Sequence, residues 1–260
     1  MRYYEIARLT QGVSIDLFDD LLRVDLDRLT PQDSITNDVE FLAAQGKDVY
    51  FYLSGGGTLL INGRYMPVVK RPESAKIHPD KYSLFTGRAE GLTEWQNPTS
   101  VIRELFEELR IYKDGTLLVP KCPEFQEIID NVYSASTFIN KPLELAHIPL
   151  HNKKLQVKYN GKESSLDGFL YIGENGDINL LFVFAAEIAL GGLKICDGES
   201  LNSGGGREVF LLDIVTLDLK KISGESAGEM IEICAREQMT PHLSALVDAV
   251  RIFSGISNAK

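Results

Sequence analysis

The run Arg103-Glu104-Leu105-Phe106-Glu107-Glu108 holds the residue types and spacing best suited to chemistry. On an α-helix, at about 100° per residue, setting Glu104 at 0° puts Glu107 at about 300° and Glu108 at about 40°. Three carboxylates then share an arc of about 100°. Ile102, Leu105, Phe106 and Leu109 fall on a second arc of similar width on the far side. Such a helix can bury one face and aim three carboxylates at a common spot. Like charges this close repel one another. Water compensates if the face is exposed, and a divalent cation compensates better: six to eight oxygens suit Ca²⁺, whereas a few carboxylates with waters and phosphates suit Mg²⁺. Arg103 lies one turn from Glu107 and can fix it by an ion pair. On helical geometry alone, a solvated charged face and a metal seat both stay open.

The residues upstream extend the pattern. Gly87, Glu94 and Asn97-Pro98 precede Arg103, and Asn97 followed by Pro98 is a helix start, predicting a helix over Pro98–Leu109. The whole stretch Gly87–Ile111 resembles the Nudix box: Gly, five residues, Glu, seven residues, then Arg-Glu-aliphatic-any-Glu-Glu-any-Gly-aliphatic. Arg103, Glu104, Leu105, Glu107, Glu108 and Ile111 match directly. Gly87 and Glu94 match with longer spacing: six residues separate them, and eight separate Glu94 from Arg103. The box glycine two places after the last Glu is Arg110 here, so the helix exit must differ from a left-handed glycine cap. The resemblance spans about residues 48–253 and is specific only at the box.

The resemblance implies a Mg²⁺- or Mn²⁺-dependent hydrolase that cleaves a pyrophosphate bond in a nucleoside diphosphate derivative. It implies Glu104, Glu107 and Glu108 as metal ligands, with the carbonyl of Gly87 beside them. It gives Arg103 the orienting of a glutamate and Glu94 the pairing with Arg103, and it counts Glu104 with the catalytic groups. The cation would offset diphosphate charge and activate a water for in-line attack at phosphorus. Arg71 is a candidate contact for a substrate phosphate, or else a surface ion pair. Glu187, Glu199 and Glu208 are candidates for a general base at the substrate, or else solvated carboxylates. The other class of function is a catalytically idle Nudix-fold module that binds a nucleotide or a partner. The irregular spacing, Arg110 and the long additions motivate it.

The elements that must position these residues read as α+β. The resemblance implies a Nudix-type α/β/α sandwich of mixed, largely antiparallel sheets, with an N-terminal extension and C-terminal helices. Residues 1–45 form the extension, with nine Asp/Glu against four Arg. Ile15, Leu17, Phe18, Leu21, Leu22 and Val24 suggest a helical face there, and a homodimer arm or substrate lip is its functional reading. Residues 46–260 form the main domain, with an inserted helix and hairpin region at about 120–165. Strands are expected over Val49–Leu53, resuming after Gly55-Gly56-Gly57 at Thr58–Ile61. Asn62-Gly63 turns into Tyr65–Lys70, and Lys81–Phe85 follows. Hairpins turn at Asn160-Gly161 and Asn175-Gly176, and a last strand covers Val209–Leu217. Helices are expected over Pro123–Tyr133, about Ala227–Glu237, and from Thr240-Pro241 to Phe253.

The 260 residues carry a formal charge of −10. Nucleic acid is excluded as a partner, because it calls for a basic footprint. The longest apolar run, near Leu180–Ala186, is too short for a bilayer, and the N-terminus shows no apolar signal region. Three scattered cysteines, Cys122, Cys196 and Cys234, make no disulfide framework, and a cytoplasmic setting is expected. Phe182, Phe184, Tyr50 and Tyr52 can stack a base, although alternating aromatics on strands more often fill a core. His78, His147, His151 and His242 lack metal-ligand spacing and read as solvated or hydrogen-bonded structural residues.

Overall fold

Strands, many of them joined by tight turns, make up more than half of the described residues. The computed structural model describes residues 13–16, 21–25, 52–75, 78–88, 101–134, 140–150, 154–159, 161–166, 168–173, 177–198, 207–221, 230–233 and 236–256. In chain order the first strands are β1 (Val13–Asp16), β2 (Leu21–Asp25), β3 (Tyr52–Ile61), β4 (Tyr65–Lys70), β5 (Tyr82–Ser83) and β6 (Phe85–Arg88). Helix α1 (Arg103–Glu108) leads into β7 (Leu109–Lys113), β8 (Thr116–Lys121) and helix α2 (Gln126–Tyr133). Then come β9 (Asn140–Glu144), β10 (Ala146–Ile148), β11 (Lys154–Tyr159), β12 (Lys162–Leu166), β13 (Phe169–Ile172) and β14 (Asp177–Ala186). The last elements are β15 (Leu193–Asp197), β16 (Val209–Asp213), β17 (Asp218–Lys221), β18 (Met230–Ile233) and helix α3 (Pro241–Phe253). The architecture is α+β, dominated by sheet. No helix among the described residues is long and apolar enough to cross a membrane.

The chain falls into two compact units. The first comprises Met1–Gly56, Gly87–Ile102 and Pro149–Leu181. It holds a four-stranded sheet in the order β1-β2-β11-β12, with β2 and β11 parallel and the outer pairs antiparallel. It also holds the hairpin of β13 with the first half of β14. In this unit a Cβ on Gly55 would lie 2.1 Å from Val101 Cγ2, so glycine admits a close approach.

The second unit comprises Gly57–Thr86, Arg103–Ile148 and Phe182–Lys260. Its larger sheet runs β10-β14-β3-β4-β16-β17-β18, with β5 beside β4. Its smaller sheet runs β15-β7-β8-β9. The β3–β4 turn is built on Asn62 and Gly63, at φ 52° and 64°, the left-handed backbone that Asn-Gly favours. The Asn62 amide also pairs with Ile188 twice, donating to its carbonyl at 2.8 Å and accepting from its N–H at 2.8 Å. The core is aliphatic and aromatic, with Leu59, Ile61, Met66, Phe85, Phe182 and Phe184 fully buried.

Several expectations change. The extension's described parts are strands, not a helical face: Val13-Ser14-Ile15-Asp16 and Leu22-Arg23-Val24-Asp25 alternate with period two, and that pattern pairs them. The glycines 55–57 do not interrupt β3, since a Cβ on Gly57 would fall 2.0 Å from Phe182 O and only glycine lets the strands close. The helix expected to reach Leu109 stops at Glu108, and Leu109 opens a strand. The strand expected to reach Leu217 ends at Asp213, whose carboxylate accepts from Val215 N–H at 3.0 Å and turns the chain. Of the helix expected at about Ala227–Glu237, the described residues form β18 and a 3₁₀ turn at Arg236–Gln238, with β18 antiparallel to β17; residues 227–229 and 234–235 lie outside the described residues. The helix starting at Thr240-Pro241 runs to Phe253 as expected.

Candidate functional site

Helix α1 lies in the second unit and sits on an aromatic floor. Leu105 and Phe106 are buried, with Ile102 and Leu109 buried on either side of the helix. The Phe106 ring is 5.7 Å from Phe184. Phe182 and Phe184 in turn pack edge-on against Phe125, at 5.3 and 5.4 Å. His147 completes the cluster at 5.7 and 5.5 Å from the same two rings and meets Glu124 at 2.9 Å. Phe182 and Phe184 therefore serve the core and offer no base-stacking face. Tyr50 and the Tyr52 side chain lie outside the described residues.

The carboxylates divide into two environments. Arg103 Nε lies 3.4 Å from Glu107 Oε1, and its Nη2 lies 3.6 Å from Glu104 Oε1. Glu104 and Glu107 keep 20% and 43% of their side-chain surface exposed. Glu108 keeps 6%. Its Oε1 is 2.8 Å from Arg207 Nη2, and Arg207 Nε is 2.6 Å from Asp197 Oδ2. Burial works against the charge on Arg207. The hydrogen bond to Asp197 and the charges of Glu108 and Asp197 outweigh it, so the guanidinium is held protonated more firmly than usual.

No group of three or more His, Cys, Asp or Glu among the described residues has metal-holding geometry. Mg²⁺ needs less than that from a protein, since it keeps several waters and takes one or two carboxylates together with substrate phosphates. The half-exposed pair Glu104 and Glu107, neighbours on one face, fits that demand by its donor chemistry. Glu108 faces Arg207.

The exit of α1 is built without the box glycine. Arg110 Nη1 donates to the carbonyl of Phe106 and, at 3.3 Å, to that of Leu109. The guanidinium lies over the Tyr133 ring at 4.8 Å. Gly198 N–H donates to the Glu108 carbonyl. A Cβ on Gly198 would stand 2.3 Å from Glu107 O, so glycine is required there for close approach. The carbonyls that a helix end leaves open are thus met by Arg110 and by a glycine from a distant loop.

Other expected site residues scatter. Arg71 follows β4 directly, part-exposed, with its N–H on Lys81 O at 2.9 Å. The β4–β16 register, extended by Lys70 N–H on Glu208 O at 3.2 Å, brings Arg71 and Arg207 to the same end of the sheet. Glu187 is exposed just past β14. Glu208 pairs with Lys221 at 2.6 Å. Gly87 lies on β6 in the first unit. Glu94 and Glu199 lie outside the described residues.

Two features carry no motif. One is the Asp197–Arg207–Glu108 chain; its signal is an acid continuing the buried alternation Leu193, Ile195, Asp197. The other is His242 on α3, whose Nε2 is 3.1 Å from both Ser83 Oγ and Thr240 Oγ1. Burial, with the charges of His78 and Arg71, pushes its pKa down to about 3, so the ring is neutral and Nε2 shares hydrogen bonds with the two hydroxyls. Ser83 is 1% exposed, which closes the pair to a substrate. The pair ties α3 to β5, alongside Thr240 N–H on Tyr82 O at 2.8 Å. Comparison with protein-family models, curated proteins and solved structures finds no match for this chain.

Proposed function

We propose that this protein is a Mg²⁺- or Mn²⁺-dependent hydrolase of the Nudix type, cleaving a pyrophosphate bond in a nucleoside diphosphate derivative by water attack at phosphorus. One observation carries the reading: Glu104 and Glu107 stand half-exposed on one face of α1, both within reach of Arg103, above a buried aromatic floor. Two of the three carboxylates that the box resemblance assigns to the cation are thus on offer to it, which supports the reading. Glu104 and Glu107 would hold the cation. When bound, it would supply charge neutralisation of the diphosphate and a water of lowered pKa. Arg103 fixes the direction of both carboxylates. Arg71, leaving the sheet at the end that carries Arg207, is the group proposed to meet a phosphate. The Nudix sandwich, with its small-molecule substrate and a homodimer, belongs to the same proposal. So does a cytoplasmic setting.

The test is product release from a panel of nucleoside diphosphate derivatives with Mg²⁺ or Mn²⁺. Glu104→Gln and Glu107→Gln should each lower turnover about a hundredfold or more, with melting temperature unchanged. A panel without any product would sink the proposal. The second reading, an idle nucleotide-binding module, draws on the engagement of Glu108 by Arg207 and on Arg110 in the box-glycine position. A rise in melting temperature with a nucleotide, and no turnover, would favour it.

A further inference from the structure

We infer that Glu108 is a positioning residue, not a cation ligand: Arg207 clamps it to Asp197 and so locks the exit of α1 in place of the absent glycine. The inference rests in part on the hydrolase reading, because it divides the box carboxylates between two tasks. Four observations join at this point. Glu108 is buried, in contrast to Glu104 and Glu107 on the same helix. Its partner Arg207 spans two carboxylates, at 2.8 Å from Glu108 and 2.6 Å from Asp197. Asp197 ends β15, which is paired to β7, the strand that continues α1: Asp197 faces Leu109 in the register. Gly198 follows directly and donates its N–H to the carbonyl of Glu108 itself. Glu108 is thus gripped at side chain and backbone by consecutive residues of one strand end, with Arg207 as the bridge.

The electrostatics favour this role. A carboxylate with so little exposure needs a counter-charge wherever it sits. Arg207 is a fixed one, always protonated and able to serve two carboxylates through its planar fork. Releasing Glu108 to a cation would leave Arg207 and Asp197 to rearrange inside the fold. Glu104 and Glu107 each lie within 4 Å of Arg103, which is itself part-exposed. Turning Glu108 inward also removes one of three like charges from the face of α1, which lowers the repulsion there. The glycine normally found two places on gives a box helix its sharp exit. Here the exit is straight into β7 and is held from outside.

Two measurements on the full chain test this. The first is Mn²⁺ binding, by calorimetric titration without any nucleotide. Glu104→Gln and Glu107→Gln should each weaken binding about tenfold or more, while Glu108→Gln stays within about threefold of the wild type. Equal losses in all three variants would overturn the inference. The second is a thermal and denaturant cycle over Glu108→Gln, Arg207→Met and the double variant. The double variant should be little less stable than the worse single one, with a coupling of about tenfold in the unfolding constant. Arg207→Lys should recover part of the loss. Strictly additive losses would overturn the clamp. If the wild type binds no Mn²⁺, the hydrolase reading fails, and the cycle alone decides the clamp.

Discussion

Helix α1 carries two kinds of carboxylate only a few residues apart. Glu104 and Glu107 pair locally with Arg103 at the distances of a surface ion pair. Glu108 pairs across 99 residues of sequence with Arg207, in a nearly closed environment shared with Asp197. The local pair is readily reorganised, since exposed ion pairs are weak and screened. The distant one is costly to break, because removing a partner strands a charge. One six-residue helix can therefore offer adaptable carboxylates on one side and an anchor on the other.

The comparison can be broken in four places. The largest effect should come from Arg207→Met, at about 3–5 kcal/mol of stability in a denaturant melt. A loss under about 1 kcal/mol would put Arg207 among ordinary surface pairs. Next is the buried His242, a polar site outside both regions. Burial pushes its pKa from the usual 6.5 down to about 3, so in between the unfolded chain takes up a proton that the native one refuses. The stability present above pH 6.5 should fall progressively towards pH 3, and His242→Gln should flatten that slope in pH-dependent melts. Then Gly198→Ala should cost about 1–3 kcal/mol, against almost nothing for Gly191→Ala, where a Cβ meets no atom within 4 Å. Equal effects would deny the close approach. The smallest effect is Arg103→Gln, at about 1 kcal/mol or less and diminishing with salt, while turnover falls.

The local half of this arrangement was legible in the chain. The Arg103–Glu107 spacing is an i,i+4 pair by helical geometry, and it forms. The burial of Leu105, Phe106 and Leu109 follows the apolar arc. Glu108 at about 40° lies only about 60° from Leu105, closer to the apolar edge than Glu104 or Glu107. Arg207 and Asp197 could not be read, because nothing local ties residues so distant in sequence. Among elements, Asn62-Gly63 and Thr240-Pro241 set their own dihedrals and were read correctly. The β1–β2 segment satisfied helical and alternating patterns at once, and pairing with β11 decided for strand.

The most direct test is hydrolysis in ¹⁸O-enriched water with Mn²⁺, read by mass spectrometry of the products. Attack by water at phosphorus predicts one ¹⁸O in a phosphate-bearing product from at least one nucleoside diphosphate derivative. Label in the non-phosphate fragment, or no product from any derivative with either metal, would contradict it.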